Sequence, residues 1–222
     1  MNSKYNSKYI VFDFDSTICR LFKNYDTQTI IEELKLVANK YGLNFPGADA
    51  FDVFAFVNSE IKDDDIRIEA LIEVNDIVTR AELEALNTSE NIDYAIWGIE
   101  KLLEIGYKVG IATNNSVKCV EKYLDINFNN IDISVVGRVA NHPEYLKPNP
   151  WSVLEVAKKM ECEANEIIFV GDAPRDYECA KVVPCDFIGI AYSDIKKLKL
   201  QALTPAIDVI VKDYKELINI LR

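Results

Sequence analysis

The chain has 222 residues, of which 49% are hydrophobic and 27% charged, and its formal net charge is −11. This is the composition of an ordinary globular protein, and the length allows a well-buried core with room for a small second module. Nucleic acids and anionic membrane surfaces require basic patches, so the acidic balance argues against both as partners.

The first predicted element is a strand that ends in two aspartates. Tyr9 to Phe12 form an apolar, β-rich run, and Asp13-Phe14-Asp15-Ser16-Thr17 follows it. Because side chains alternate along a strand, Asp13 and Asp15 are expected to point the same way. Two close carboxylates repel each other unless a cation neutralises them, and Mg²⁺ prefers oxygen ligands of this kind. The plainer alternative is a strand that ends in solvated acidic loop residues.

A long stretch with helical periodicity follows, from about residue 20 to residue 91. Apolar residues recur at helical spacing within 30–41, 51–58 and 66–85. Asp49 is a candidate N-cap of the second helix. The triplet Asp63-Asp64-Asp65 is interpreted as helix-start charge rather than as a metal site. No strand is predicted in this stretch.

From residue 92 onwards, helices and strands alternate. Strands are predicted at 107–113, 131–136, 166–172 and 187–190, and helices at 92–104, after Ser116, after Asn149-Pro150 and after Pro174. Alternation of this sort predicts an α/β, Rossmann-like parallel sheet with helices on both faces.

Polar residues that could carry chemistry follow these strands. Asp172 ends one strand and Asp176 lies one helical turn beyond it, while Thr113 and Asn114 end another strand. Lys147 adds a positive charge just before a helix. Acids for a metal, donors for an anion and one cation are the groups that phosphoryl transfer requires.

Simpler interpretations exist for several of these residues. Thr113 could cap the following helix, and Lys147 could be an ordinary surface lysine; Lys118, inside a predicted helix, is a rival cation. His142 is the only histidine, which excludes sites built from several histidines, and we expect it to be a surface or hydrogen-bonding residue.

The cysteines and the hydropathy predict the environment of the chain. The five cysteines are scattered, without a Cys-x-x-Cys pair, which disfavours a zinc site and a disulfide framework and favours buried thiols. No stretch approaches the roughly 20 apolar residues of a membrane span. The N-terminus lacks a long apolar segment, so no signal peptide is expected. A soluble, cytoplasmic protein is therefore expected.

Together, the strand-end motifs resemble those of the haloacid dehalogenase superfamily of phosphohydrolases, and the core resembles that of its phosphoglycolate phosphatases. Asp13 to Thr17 is similar to the nucleophile motif, Asp-x-Asp-x-Thr. Thr113 matches the second motif, Lys147 the third and Gly171 to Asp176 the fourth, in the order of the family. Two positions depart from the usual pattern. Ser16 replaces a common Gly, and Pro184 stands where an Ala-Gly pair is frequent.

The resemblance implies a domain organisation and a role for each site residue. Residues 1–19 and 92–222 would form the α/β core, and residues 20–91 (the helical insert) an α-helical cap; the alternative is one continuous domain. Asp13 would be the nucleophile that forms an aspartyl-phosphate, Asp15 the general acid and base, and Lys147 a charge neutraliser. Thr113 and the Asn114 amide would hold phosphate. Mg²⁺ would be held by the following residues: Asp13, Asp15 through its backbone carbonyl, Asp172 and, in support, Asp176.

These roles predict a Mg²⁺-dependent phosphatase that acts on small phosphorylated metabolites. The presence of Asp15 argues against a dehalogenase, whose chemistry does not use a second acid. The alternatives are a phosphomutase or nucleotidase on the same scaffold, or a catalytically idle protein that uses the fold for binding. The sequence does not predict an oligomeric state.

Overall fold

A computed structural model of the chain describes residue 5 and residues 7–47, 49–129 and 131–222. The strands in these ranges are β1 (Tyr9–Phe12), β2 (Cys19–Arg20), β3 (Glu90–Asn91), β4 (Lys108–Ala112), β5 (Ile133–Val136), β6 (Ile167–Gly171), β7 (Asp186–Ile190) and β8 (Ile210–Val211). The helices are α1 (Thr27–Lys40), α2 (Asp52–Glu60), α3 (Asp64–Ala85), α4 (Ala95–Glu104), α5 (Val117–Asn127), α6 (Trp151–Lys159), α7 (Pro174–Val182), α8 (Asp194–Leu203) and α9 (Tyr214–Leu221).

The main sheet has six strands in the order β5-β4-β1-β6-β7-β8, and every neighbouring pair is parallel. The central strand, β1, pairs with β4 on one side and β6 on the other, so that Phe12 is level with Ile111 and Val170. The strand order reverses beside β1, and ligands of open α/β sheets bind at the carboxyl edge of such a point. The predicted α/β, Rossmann-like core is confirmed.

Helices cover both faces of this sheet. The side chains of β1 alternate between the two faces, and each face packs against its own set of helices. Ile10 and Phe12 pack into a core with α4, α5 and α9. Val11 lies between them in the chain, points to the other face and packs into a second core with α6 and α7. A strand buried on both faces is apolar throughout, which is the pattern that predicted it.

The helical insert contains α1, α2 and α3, which pack around a core of their own. Asp63 caps α3, because its side chain accepts the N–H of Ile66 at 3.0 Å, and the helix-start interpretation of the acidic triplet is confirmed. The prediction for Asp49 is wrong in detail. Helix α2 begins after Phe51, and Asp49 accepts the N–H of Phe51 in the preceding turn. The division into core and cap at residues 20 and 91 stays a prediction.

The structure adds elements that the sequence patterns do not predict. Strands β2 and β3 form a two-stranded antiparallel ladder at the ends of the helical insert, where no strand is expected. Such short strands have no readable periodicity, and the ladder is supported by an ion pair of 3.2 Å between Arg20 and Glu90. Elements α8, β8 and α9 follow the last predicted strand.

The cysteines are free thiols: Cys19, Cys119 and Cys179 are buried, as expected, whereas Cys162 and Cys185 are half-buried. Among the described helices, none combines the length and the apolar character that crossing a membrane requires.

Candidate active site

A pocket of about 220 Å³ lies at the carboxyl edge of the sheet, where β1, β4 and β6 end. The structure brings all of the predicted site residues to this pocket: Asp13, Asp15, Thr113, Asn114, Lys147, Asp172 and Asp176. The helical insert contributes Asp49 and Phe51 to the lining, and the fourth motif also contributes Arg175. The pocket is therefore shared by strand ends of the core and by a turn of the insert.

Asp13 and Asp15 reach the pocket by a different route from the one predicted. Strand β1 ends at Phe12, and after one further ladder bond, from Asp13 N–H to the Val170 carbonyl at 2.9 Å, the chain turns. Ser16 has φ of 65°, in the left-handed region that glycine adopts without steric cost. This turn, and not strand alternation, directs both acids to one pocket.

Three carboxylates form a cluster that fits a divalent cation. Oxygens of Asp13, Asp172 and Asp176 all lie within 4.8 Å of one another, and hard cations such as Mg²⁺ take ligands of this type. Lys147, only 5% exposed, places Nζ at 2.5 Å from Asp13 Oδ1 and 2.6 Å from Asp176 Oδ1. Lys196 Nζ lies 2.5 Å from Asp172 Oδ2.

The carboxylate of Asp15 is not part of this cluster. Its Oδ1 accepts the backbone N–H of Leu21 at 2.9 Å, so its side chain is held by the first residues of the helical insert. The carboxylate of Asp15 therefore lies outside the group of oxygens that could hold a cation.

Burial and mutual repulsion perturb the acids of the site. Burial, reinforced by the charge of Asp13, raises the pKa of Asp15 to about 6 and the pKa of Asp172 to about 6. Burial, with the charges of Asp13 and Asp172, raises the pKa of Asp176 to about 7. Burial alone would lower the pKa of Lys147, but the charges of Asp13 and Asp176 outweigh it and raise that pKa. The site therefore holds a permanent ammonium among acids that need further positive charge.

The loop of residues 113–116, which follows β4, supplies donors for an anion. Asn114 lines the pocket, and its backbone N–H has no hydrogen-bond partner among the described residues. Its side-chain Oδ1 accepts the backbone N–H of Lys147 at 2.8 Å, which ties the lysine to this loop. The Thr113 hydroxyl donates to Asn115 Oδ1 at 2.9 Å. A free N–H beside an ammonium is a suitable environment for a phosphate group.

The simpler interpretations of these residues do not hold. Ser116, not Thr113, caps α5, because its Oγ accepts the N–H of Cys119. Lys147 is buried, whereas Lys118 is exposed on α5. His142 pairs with Glu144 at 2.9 Å, away from the pocket, as expected of a hydrogen-bonding residue.

Sequence reasoning missed four residues near the site. Thr17 lies in the quoted motif without an assigned role, yet its hydroxyl is 3.4 Å from Asp13 Oδ2. Lys196 has no local signal, because its position depends on where α8 packs. Glu82 and Arg138 form a buried ion pair behind the 113–116 loop. The one available signal was a charged residue, Glu82, on the mostly apolar buried face of α3.

Comparisons with known proteins agree with this geometry. The haloacid dehalogenase-like hydrolase family matches residues 10–190. Phosphoglycolate phosphatases of Haemophilus influenzae and Vibrio parahaemolyticus are 24% and 27% identical to the chain over 124 residues, or 55% of this chain and 54% and 53% of theirs. The chain thus matches about half the length of these curated relatives.

A solved structure, described as a predicted phosphatase from Clostridium acetobutylicum, covers 95% of this chain and 96% of its own, with a TM-score of 0.63 and 16% identity. At that identity the likeness shows the fold alone. The family match covers most of the chain and includes every strand end that lines the pocket. The chain therefore belongs to the haloacid dehalogenase-like hydrolase family.

Proposed function

We propose that this chain is a Mg²⁺-dependent phosphatase that hydrolyses small phosphate monoesters through an aspartyl-phosphate intermediate. The observation that carries the proposal is the arrangement of three carboxylates within 4.8 Å of one another, with a buried lysine between two of them. An unpaired N–H at Asn114 lies in the lining of the same pocket.

Asp13 is the proposed nucleophile. One of its oxygens would attack phosphorus, and the bond between phosphorus and the ester oxygen would break. Lys147 Nζ, at 2.5 Å from Oδ1, would orient this carboxylate and neutralise charge on the phosphoryl group. The Asn114 N–H would bind a phosphoryl oxygen, and the Thr113 hydroxyl would bind another by turning its hydrogen from Asn115 Oδ1 to the phosphate.

Asp15 is the proposed general acid and base. It would give a proton to the leaving alkoxide, and in the second step it would take a proton from the water that attacks the aspartyl-phosphate. The alcohol leaves first and inorganic phosphate second, and Asp13 and Asp15 return to their starting forms. A pKa of about 6, raised mainly by burial, suits a group that must both donate and accept a proton near neutral pH.

The proposed metal would be held by Asp13, Asp172 and the backbone carbonyl of Asp15, with Asp176 in support. When bound, Mg²⁺ supplies Lewis-acid stabilisation of charge on the phosphoryl oxygens. The charge balance supports a divalent ion. With Asp15 protonated as the proposed acid, three carboxylates contact two lysine ammonium groups, so one negative charge is left over before the phosphate adds its own; the carboxylates are those of Asp13, Asp172 and Asp176, and the lysines are Lys147 and Lys196.

The substrate is proposed to be a small phosphorylated metabolite. Asp49 and Phe51 of the helical insert line the same pocket as the chemical groups, and its volume of about 220 Å³ leaves limited room for a leaving group. The curated relatives named above are phosphoglycolate phosphatases, which supports a small ester. All five cysteines are free thiols, which supports a reducing compartment such as the cytoplasm.

A panel of phosphate monoesters, including an aryl phosphate, tests the proposal. Phosphate release from the purified protein should require Mg²⁺ and should disappear after chelation. Undiminished turnover in metal-free buffer would overturn the metal assignment. Absence of release from every ester would favour the idle binding protein, and transfer that depends on a sugar bisphosphate would favour the phosphomutase.

A further inference from the structure

Glu82 is a buried acid that the proposed chemistry does not use. It lies in α3 of the helical insert, and its side chain is 0% exposed. Four N–H donors surround the carboxylate. Arg138 Nη1 and Nη2 lie at 2.9 and 3.3 Å, Asn115 Nδ2 at 3.1 Å and the backbone N of Ser116 at 3.0 Å. Two of these donors belong to the 113–116 loop, so an acid of the insert directly contacts the loop that is proposed to bind phosphate.

Arg138 is the partner of Glu82, and each of its N–H donors has an acceptor. Besides Glu82, Nη1 donates to the Asn114 carbonyl at 2.8 Å, Nη2 to the Thr79 hydroxyl at 3.1 Å and Nε to Asn75 Oδ1 at 2.9 Å. A guanidinium has five N–H donors in a planar fork, and these contacts engage all of them. Arg138 therefore joins three positions on one face of α3 to the backbone of the loop.

The backbone around Arg138 is shaped for this contact. The Arg138 N–H donates to the Asn115 carbonyl at 2.9 Å. A Cβ on the preceding residue, Gly137, would lie 2.4 Å from the same carbonyl oxygen and 3.0 Å from the N of Val117. Only glycine permits so close an approach. The residues that follow β5 therefore pack directly against the 113–116 loop, and the backbone of Arg138 is fixed there.

These contacts decide which donor of the loop remains available. The Thr113 N–H donates to the Val136 carbonyl, the Asn115 N–H to the Thr113 hydroxyl and the Ser116 N–H to Glu82. Only the Asn114 N–H has no partner among the described residues. Arg138 donates to the Asn114 carbonyl. This hydrogen bond fixes the peptide group between Asn114 and Asn115, which directly follows the Asn114 N–H.

A purely structural role accounts poorly for this arrangement. A buried ion pair is often no more stabilising than apolar residues of the same volume. Here both partners contact peptide groups and side chains of one loop, and Asn114 in turn holds the backbone of Lys147. We propose that Glu82 and Arg138 are positioning residues, whose ion pair keeps the 113–116 loop in its anion-binding geometry and fixes α3 to it. This inference rests on the proposed function, because the loop must bind phosphate.

The test compares the binding of inorganic phosphate with the binding of Mg²⁺, both by calorimetry on the full chain. Glu82→Gln keeps the size of the side chain but turns an amide towards the donors of the loop. The dissociation constant of phosphate, in Mg²⁺ buffer, should rise about tenfold or more. The dissociation constant of Mg²⁺ without phosphate should stay within about twofold, since Asp13 and Asp172 are untouched.

A control separates positioning from general loosening of the protein. Val74→Ala removes buried methyl groups from the same helix, in the core of the insert and away from the loop. It should lower the melting temperature yet leave the phosphate constant within about twofold of wild type. If Glu82→Gln does not fold by circular dichroism, Asn75→Ala takes its place. It removes only the acceptor of Arg138 Nε and should weaken phosphate binding about threefold.

The outcomes are distinct. A folded Glu82→Gln, or Asn75→Ala in its place, with an unchanged phosphate constant overturns the inference. So does an equal loss of phosphate binding in Val74→Ala, or a parallel loss of Mg²⁺ affinity in Glu82→Gln. A wild-type protein that binds no phosphate overturns the proposed function, and the inference with it. If the wild-type protein binds phosphate and the folded variant binds it equally well, the inference is contradicted but the proposed function is not.

Discussion

Replacing Asp13 by asparagine should abolish turnover while hardly changing stability. Within the carboxylate cluster, the substitution removes two repulsions, with Asp172 and Asp176, whose oxygens lie within 4.8 Å of those of Asp13. At an effective dielectric constant of about 20, each is worth about 3.5 kcal/mol. It also removes the attraction to Lys147 at 2.5 Å, which is worth about 7 kcal/mol on the same scale. Gain and loss nearly cancel, so the free energy of unfolding should change by no more than about 2 kcal/mol.

The assay is thermal unfolding without metal, at about pH 8, where Asp172 and Asp176 are ionised despite their raised pKa values of about 6 and about 7. Hydrolysis of an aryl phosphate with Mg²⁺ is measured in parallel and should fall at least about a thousandfold. Asp76→Asn, on an exposed part of α3, is the matched control and should leave both quantities unchanged. Retained turnover would require another nucleophile. A destabilisation above about 4 kcal/mol would show that the lost repulsions and the lost attraction do not cancel.

Three further predictions address the other parts of the site. Asp15→Asn should slow the hydrolysis of alkyl phosphates more than that of aryl phosphates, because only poor leaving groups need a proton; equal losses would remove Asp15 from the acid role. Ser16→Gly should raise the free energy of unfolding by up to about 1 kcal/mol, because φ at this position is 65°; denaturant titration measures this, and a destabilised variant contradicts it. A different helical cap grafted between residues 20 and 91 should change the preferred esters but not the dependence on Asp13. An unchanged ranking of esters would place specificity in the core.

The fold was largely predictable because its signals are local. A strand buried on both faces, such as β1, is apolar throughout, and a helix with one buried face repeats its apolar residues with a period near 3.6. Strands β2 and β3 have two residues each and pair across the whole insert, so no local pattern marks them. The C-terminal elements were missed for a similar reason. Helix α8 buries only Leu200 along its length, which leaves a weak apolar stripe.

The site was predictable where chain topology fixes it. The carboxyl ends of parallel strands share one edge, so Asp13, Thr113 and Asp172 had to meet once the sheet was predicted. Lys196 and the pair Glu82–Arg138 come from helices and loops whose packing decides what they touch. Their contacts are properties of tertiary structure, and a charged residue on an apolar helix face, such as Glu82, was the only local signal.

The position of Asp15 links the chemistry to the helical insert. Its carboxylate is held by the N–H of Leu21 at 2.9 Å, and Leu21 directly follows β2, where the chain enters the insert. The returning chain pairs with the same strand through β3, and the Ile92 N–H then donates to the Ile18 carbonyl at 2.9 Å. A displacement of the insert relative to the sheet would therefore disturb the hydrogen bond that holds Asp15. Because proton transfer to a leaving group depends steeply on geometry, an ester that holds the insert in place would also hold the proposed acid in place.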